Sequence, residues 1–528
     1  MHCRPTGVRC STSPGVRIAR CSPSGRRQPS EQPATDRAAP SVPRSRGPHL
    51  HPTTVGARMD PFDSAIDLAS AVRARELSPV EVVDTYLDRI DRYDSTLNAF
   101  VWRDDDAVRE AAEQAERAVL SGAELPPFHG VPIPIKDLTE VRGQPATYGS
   151  FGVSDTPREH SEPVVTRLLN AGFLLFGRTN TPDMGLLSTT DNRRFGSTRN
   201  PWNPEFSSGG SSGGAAAAVA AGLSPVAHAG DGGGSIRMPA SCCGLVGLKP
   251  SRGRIPRTMM SWEHATVEGA ITRYVRDAAA LLDAMSAPDR LAMYRAPAPE
   301  RPFAEEVGRP AGRLRIGLAV DAPTGLPVDP ECVAAAERTA RLLESLGHHV
   351  QPATPRFFTS EAISCYAQTV LDAALWAAPY DDPERAEPHL RHRMARAAGR
   401  HSGIYTRAVA LLQRESRQVV AQWGRGFDVL LTPTMACLPP PVDTVLDEAN
   451  AGPDELRLRE NQMISFTAIC NITGLPAISV PTHTSVGGLP VGSQLVAGPW
   501  EEAVLVRLAA ELEGLDDWTG RRPHRFHR

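Results

Sequence analysis

From Met59 onward, apolar and polar positions recur with periods that predict helices and strands in turn. Ser78-Pro79-Val80-Glu81 has the form of a capping box with proline at the first helical position, and Val82, Val83, Tyr86, Leu87 and Ile90 share one face behind it. Residues 98–103 predict a short strand, 104–120 an acid-started helix and 131–135 a buried strand. Ser161 is expected to cap a helix that runs to Ala171 and ends at Gly172, before the buried-strand run 173–176. Further strands are expected at 314–319, 429–432, 477–480 and 491–496, and helices at 329–346 and 501–512. This alternation is that of a layered α/β fold. Residues 355–426 read as a long helical segment, and Tyr366, Trp376, Tyr380 and Tyr405, spread along it, are expected in the core. No internal repeat interrupts the pattern.

The regular pattern is broken most sharply between Gly209 and Arg237, where two serine-bearing glycine clusters flank a short apolar unit. Gly209-Gly210-Ser211-Ser212-Gly213-Gly214 has few side chains, so its backbone N–H groups stay open and its hydroxyls can approach another group closely. Residues 215–221 predict a helix closed by Gly222, and 225–229 a short buried strand, so the chain returns to a second cluster, Asp231-Gly232-Gly233-Gly234-Ser235. Ile236-Arg237-Met238 then has the pattern of a helix start. A serine at that place sits beside unpaired backbone donors, an arrangement that stabilises an oxyanion.

Of 57 basic residues only two are lysine, Lys136 and Lys249, which leaves 55 arginines. Lysine can surrender a proton where arginine cannot. Lys136 ends the apolar run Val131-Pro132-Ile133-Pro134-Ile135, where desolvation would lower its pKa and make it a base. Lys249, in Leu248-Lys249-Pro250, is read as scaffold, and so is His228 within its buried strand.

Taken together, Gly130-Val131-Pro132-Ile133-Pro134-Ile135-Lys136-Asp137, the 209–214 loop, the 231–237 run and Cys243-Gly244-Leu245-Val246-Gly247-Leu248-Lys249-Pro250 resemble the amidase signature family. The motifs occur in the family's order and spacing, with 75 residues from Lys136 to Ser211 and 24 from Ser211 to Ser235. The resemblance runs from about Met59 to the C-terminus and is weakest between roughly 290 and 425. It implies a single large domain with a mixed β-sheet core flanked by helices, and hydrolysis of a small-molecule carboxylic amide without metal or cofactor. Ser235 would be the nucleophile, Ser211 the bridging serine that follows a cis peptide bond in the family, and Lys136 the base. The N–H groups of Gly232, Gly233, Gly234 and Ser235 would hold the oxyanion, while Asp231 and Arg237 would pair structurally. Gly230 and Gly232 stand where many relatives carry threonine, which leaves a looser, roomier loop. The family also contains the amidase subunit of a tRNA-dependent amidotransferase, which releases ammonia from glutamine; Leu138 stands where that subunit usually has asparagine.

Composition narrows the alternatives. A net charge of −3 gives no electrostatic reason to expect nucleic acid, and no apolar run reaches the ~18 residues of a membrane span. Nine cysteines form neither a disulfide framework nor a paired Cys-x-x-Cys pattern, as in a reducing, cytoplasmic setting; a homodimer is left open. Neither lysine follows a glycine or lies three residues after a serine, and no His-Glu-x-x-His occurs. Gly-x-Ser-x-Gly fits both Ser211 and Ser212, but a nucleophile elbow needs a preceding strand, and residues 200–206 hold two prolines and no strand pattern.

Residues 1–58 differ in kind, with ten arginines against two acids, many Pro, Ser and Gly, and three of the nine cysteines. Such a composition buries too little apolar surface to fold and is expected to be a disordered basic extension or a mis-assigned start, with the amidase-like domain at 59–528. A chain beginning at Met59 should therefore fold and retain full amide-hydrolysing activity, and limited proteolysis should trim the full chain close to that point. Loss of folding in the shortened chain would overturn this boundary.

Overall fold

The capping box forms as its residues dictate. Ser78 accepts from the Val80 N–H (3.0 Å) and Glu81 accepts from the Ser78 N–H (3.0 Å), starting the helix Pro79–Leu97, whose Val82, Val83, Tyr86, Leu87 and Ile90 are all buried. The computed structural model describes residues 59–259, 261–452 and 457–526, so the expectation for residues 1–58 lies outside the described residues.

Among the described residues eleven strands follow in chain order: β1 Phe100–Trp102, β2 Pro132–Lys136, β3 Leu174–Thr179, β4 Val226–Asp231, β5 Val246–Lys249, β6 Val267–Thr272, β7 Arg315–Leu318, β8 His349–Pro352, β9 Val429–Pro433, β10 Ala477–Thr484 and β11 Pro490–Ala497. Eight of them form one mixed sheet in the order β4-β6-β5-β10-β11-β9-β7-β8, antiparallel from β4 to β9 and parallel from β9 to β8. The other three make a small sheet, β1-β3-β2, in which β2 and β3 are parallel. Helices flank the large sheet, and their apolar faces close a core that runs from Phe62 to Phe526. The described residues make a single large domain with a mixed sheet flanked by helices, and none of its helices is long and apolar enough to cross a membrane.

Two expectations are corrected. The helix expected from Ser161 is Pro163–Asn170, with Glu162 at its N-cap: proline at the first helical position sets the start, while the Ser161 hydroxyl accepts from the Arg142 N–H (2.9 Å) instead. Of the four aromatics expected in the core of 355–426, Tyr366 is buried, Tyr380 and Tyr405 are partly buried, and Trp376 is 64% exposed and outside the core.

The helix Gly213–Ala220 is where the fold presses hardest on the sequence. It is wholly buried, and its first turn lies so close to the ends of β1 and β3 that a Cβ on Gly214 would stand 2.4 Å from the Asn180 N and 2.6 Å from the Ala99 O. Both neighbours are backbone and cannot swing aside. Overpacking of this kind typically costs about 1–3 kcal/mol. Gly214→Ala should therefore lower the unfolding free energy by an amount in or above that range, read as a lower denaturant midpoint; an unchanged midpoint would show that the helix can retreat.

Candidate functional site

The close approach of that helix carries Ser211 and Ser212, immediately before its first turn, up to the end of β2. Lys136 is the last residue of β2, and its Nζ lies 2.8 Å from Ser211 Oγ, 2.8 Å from Ser212 Oγ and 3.4 Å from the Gly230 carbonyl. The Gly210–Ser211 peptide bond is cis. Lys136 is 1% exposed, and burial lowers its amine to about 7 against the partial opposition of Glu268 and Asp231. An amine in that range is substantially neutral near pH 7.

The groups behind Lys136 hold its backbone. Buried Arg178, on β3, donates to the carbonyls of Lys136 (3.3 Å) and Thr139 and pairs with Asp137 (3.4 Å). The Lys136 N–H points at His228 Nδ1 (3.4 Å), which must accept; the ring proton then lies on Nε2 and is donated to Glu268 (3.1 Å). Arg257 contacts the other oxygen of Glu268 (3.3 Å). Burial would raise the Glu268 carboxyl, but Arg257 and His228 hold it down to about 2. His228 is thus a buried tie between β2 and β4. Lys249 is equally buried and donates to the Pro250 (2.8 Å) and Leu475 (2.9 Å) carbonyls, away from the serines.

The second glycine cluster is shaped by Asp231, the last residue of β4. Its carboxylate accepts from the N–H groups of Gly234 (2.7 Å) and Ile236 (3.1 Å), from Asn471 (2.8 Å), and from Arg237 through Nε and Nη2 (both 3.0 Å). Burial alone would raise this carboxyl, but the Arg237 guanidinium and these hydrogen bonds hold it far below the usual carboxylate range. The Thr467 hydroxyl donates to the Gly233 carbonyl (2.6 Å), fixing the loop from the other side. Ser235 is 6% exposed and stands two residues before the helix Arg237–Cys243. The N–H of Gly234 is committed to Asp231, whereas those of Gly232, Gly233 and Ser235 have no hydrogen-bond partner among the described residues.

A cavity of about 990 Å³ opens onto this region. Lys136, Ser211 and Gly230 to Gly232 lie on its wall; Gly233, Gly234 and Ser235 are not among its lining residues, and Ser235 makes no hydrogen bond to Ser211. Apolar Met184, Leu186, Trp262 and Leu375 line one part, and carboxylates of Glu140, Glu162, Glu263 and Glu268 another. Tyr405 lines it too. Among the described residues no group of three or more His, Cys, Asp and Glu side chains is placed to hold a metal ion.

Several of these residues carry no local signal. Ser212 adjoins Ser211 and its part could have been suspected from its glycine cluster, but Thr467 and Asn471 lie more than 230 positions from Asp231 in unremarkable sequence. Glu268 and Trp262 likewise join the site only through the packing of β6 and the turn before it.

Comparison with known proteins agrees with this architecture. The chain matches the family described as Amidase over residues 81–506. It is 36% identical over 495 residues to a 6-aminohexanoate-cyclic-dimer hydrolase of Paenarthrobacter ureafaciens, covering 88% of this chain and 97% of that protein. A solved structure of 6-aminohexanoate cyclic dimer hydrolase complexed with substrate superposes with a TM-score of 0.82 at 34% identity, covering 89% of this chain and 100% of that one. A bacterial aryl acylamidase of the amidase signature enzymes gives a TM-score of 0.78 at 29% identity, covering 88% and 98%. On this evidence the chain belongs to the amidase signature family.

Proposed function

We propose that this enzyme hydrolyses a carboxylic amide to the acid and ammonia or amine through an acyl-enzyme on Ser235, with Lys136 and Ser211 moving the proton. The observation that carries this reading is the buried Lys136 amine, lowered to about 7, at 2.8 Å from Ser211 Oγ. Hydrogen-bond accounting supports it. Ser212 donates its only hydroxyl proton to the Gly230 carbonyl (3.1 Å), so it must accept from Lys136. A neutral amine then gives one N–H to Ser212 and one to Gly230, and its lone pair is left for the Ser211 hydroxyl.

The steps follow. Lys136 takes the Ser211 proton as Ser211 takes that of Ser235, and Ser235 Oγ bonds to the amide carbon. The carbonyl oxygen becomes an oxyanion held by N–H groups of the 232–235 loop; because the Gly234 N–H is taken by Asp231, those of Gly232, Gly233 and Ser235 are the donors at hand. Collapse breaks the C–N bond while Ser211 gives its proton to the nitrogen and is reprotonated by Lys136, which returns to the neutral amine. Water then repeats the sequence on the ester and releases the acid. The hydrogen bond from Ser235 to Ser211 is expected to form as substrate binds, since catalytic hydrogen bonds in unliganded enzymes are often long or unmade. The amidotransferase-subunit reading is less well supported: Arg257, the one arginine lining the cavity among the described residues, is paired with Glu268, so a free glutamine carboxylate meets mostly carboxylates.

Lys136→Arg and Lys136→Ala should both lose about 10²–10⁴ in turnover while remaining folded, because a guanidinium keeps its proton and the alanine side chain has no group to accept one. Only the neutral amine is a base, so activity of the intact enzyme should fall as pH drops through about 7 and protonates Lys136. A folded Lys136→Arg enzyme within about tenfold of the parent would end the proposal. Independently, a fluorophosphonate should label Ser235, seen by peptide mapping; an adduct on Ser211 or Ser212 would move the nucleophile.

A further inference from the structure

The geometry points to Trp262 as a specificity-determining residue that limits the acyl group to one unbranched at the carbon next to the carbonyl. The inference rests on the reading of the 232–235 loop as the place where the amide carbonyl is held. Its starting observation is Gly232. The backbone there lies outside the left-handed region, so no conformational need demands glycine. The need is spatial: a Cβ would stand 2.4 Å from Cζ3 and 2.6 Å from Cε3 of Trp262, with Thr266 Cγ2 at 3.2 Å. The next glycine, Gly233, has nothing within 4 Å of the same position. Thus the room left by the missing side chain at 232, where the sequence alone predicts a looser loop, is filled by an indole ring from a distant turn.

That ring is held in place. Trp262, Glu263 and His264 have φ of 57°, 51° and 66°, three successive non-glycine residues in a left-handed conformation that persists only when its surroundings over-determine it. Here Arg252 Nε donates to the His264 carbonyl (2.7 Å), the Tyr405 hydroxyl donates to Glu263 (2.6 Å), and the His264 ring meets Tyr294 edge-on with centroids 4.8 Å apart. Trp262 also packs on the apolar cluster of Met184, Leu186 and Leu375, so it is wedged between the loop and the cavity wall. Ser211, which must hand its proton to the leaving nitrogen, is flanked by Gly185 and Leu138, whereas the indole ring itself lies against Gly232 of the loop that holds the carbonyl. Trp262 therefore borders the part of the substrate that stays on the enzyme. A methylene chain passes along the indole face into the large apolar part of the cavity, whereas a branch at the first carbon strikes the ring.

The test compares the 4-nitroanilides of propanoic and 2-methylpropanoic acid, which differ only by one methyl group on that carbon. Contacts of one methyl group in an apolar pocket discriminate by about 10–200-fold, so Trp262→Ala should raise the branched-to-linear ratio of kcat/KM by at least tenfold over the parent, with Trp262→Phe in between. Because the ratio is internal, a general loss of activity or stability does not move it. A thermal-melt cycle checks the contact: Gly232→Ala should lower Tm in the parent and much less in the Trp262→Ala background. An unmoved ratio in a folded Trp262→Ala enzyme, or an equal Tm loss in both backgrounds, overturns the assignment, and so does a shift seen only when the amine is varied. A parent that turns over neither anilide and takes no label at Ser235 overturns the amidase-site reading and this inference with it; turnover with an unmoved ratio overturns this inference alone.

Discussion

The buried ion pair of Asp231 and Arg237 is the constraint on which the rest of the site depends. A guanidinium has five N–H donors, and all five are used here: two on Asp231, two on Gln494 (2.6 Å) and Asn471 (2.6 Å), and one on the Thr467 carbonyl (3.0 Å). Removing one partner of such a pair typically costs about 3–5 kcal/mol, since the other is left charged and dry. The pair spans the whole glycine cluster, with Asp231 at its start and Arg237 just past its end. Three glycines in a row would otherwise be a flexible loop; closed by this pair and by the two N–H groups that Asp231 accepts, they form a fixed turn with Ser235 near its end.

Burial of Lys136 is the second constraint, and it runs opposite to the first. Arg237 is buried with its charge matched, so its side chain stays ionised; Lys136 is buried against hydroxyls and a carbonyl, so its amine is lowered toward neutrality. The 55 arginines of the chain supply permanent charge wherever pairing is wanted, as in Arg178 with Asp137 and Arg254 with Glu502. Lysine is retained at two fully buried sites. At Lys249 both nearest acceptors are carbonyls, and burial together with Arg237 lowers it to about 8. Two lysines with similar surroundings thus differ in what lies within reach, two serines in one case and backbone in the other.

Most of the scaffold was legible in the sequence because its signals are local. The Ser78 box, the Asp104 and Asp329 caps, and the apolar runs of β2, β3, β9, β10 and β11 each carry their own evidence within a few residues. Strands β5, β6 and β8 were not, for different reasons. Val267–Thr272 carries Glu and Gly, and its burial comes from β4 and β5 on either side. His349–Pro352 is an edge strand with three of four residues exposed, so it has no hydrophobic pattern to read. Within the site, the glycine clusters and the scarce lysine marked Lys136, Ser211 and Ser235 as candidates. The partners that shape the loop, Thr467, Asn471 and Gln494, come from distant segments whose neighbours say nothing of Asp231.

Glycine at 214 and glycine at 232 show why a glycine count cannot be read directly as flexibility. Gly214 lets a helix lie against strand backbone, and Gly232 lets an aromatic ring lie against a loop; in both, the missing side chain is replaced by something rigid. At Gly233 the space is open, and its N–H has no hydrogen-bond partner among the described residues. The same residue type therefore does opposite things within a few positions, closing one contact and leaving another free. Composition reports the permission that glycine grants; only the neighbours decide whether that permission is spent on packing or on chemistry.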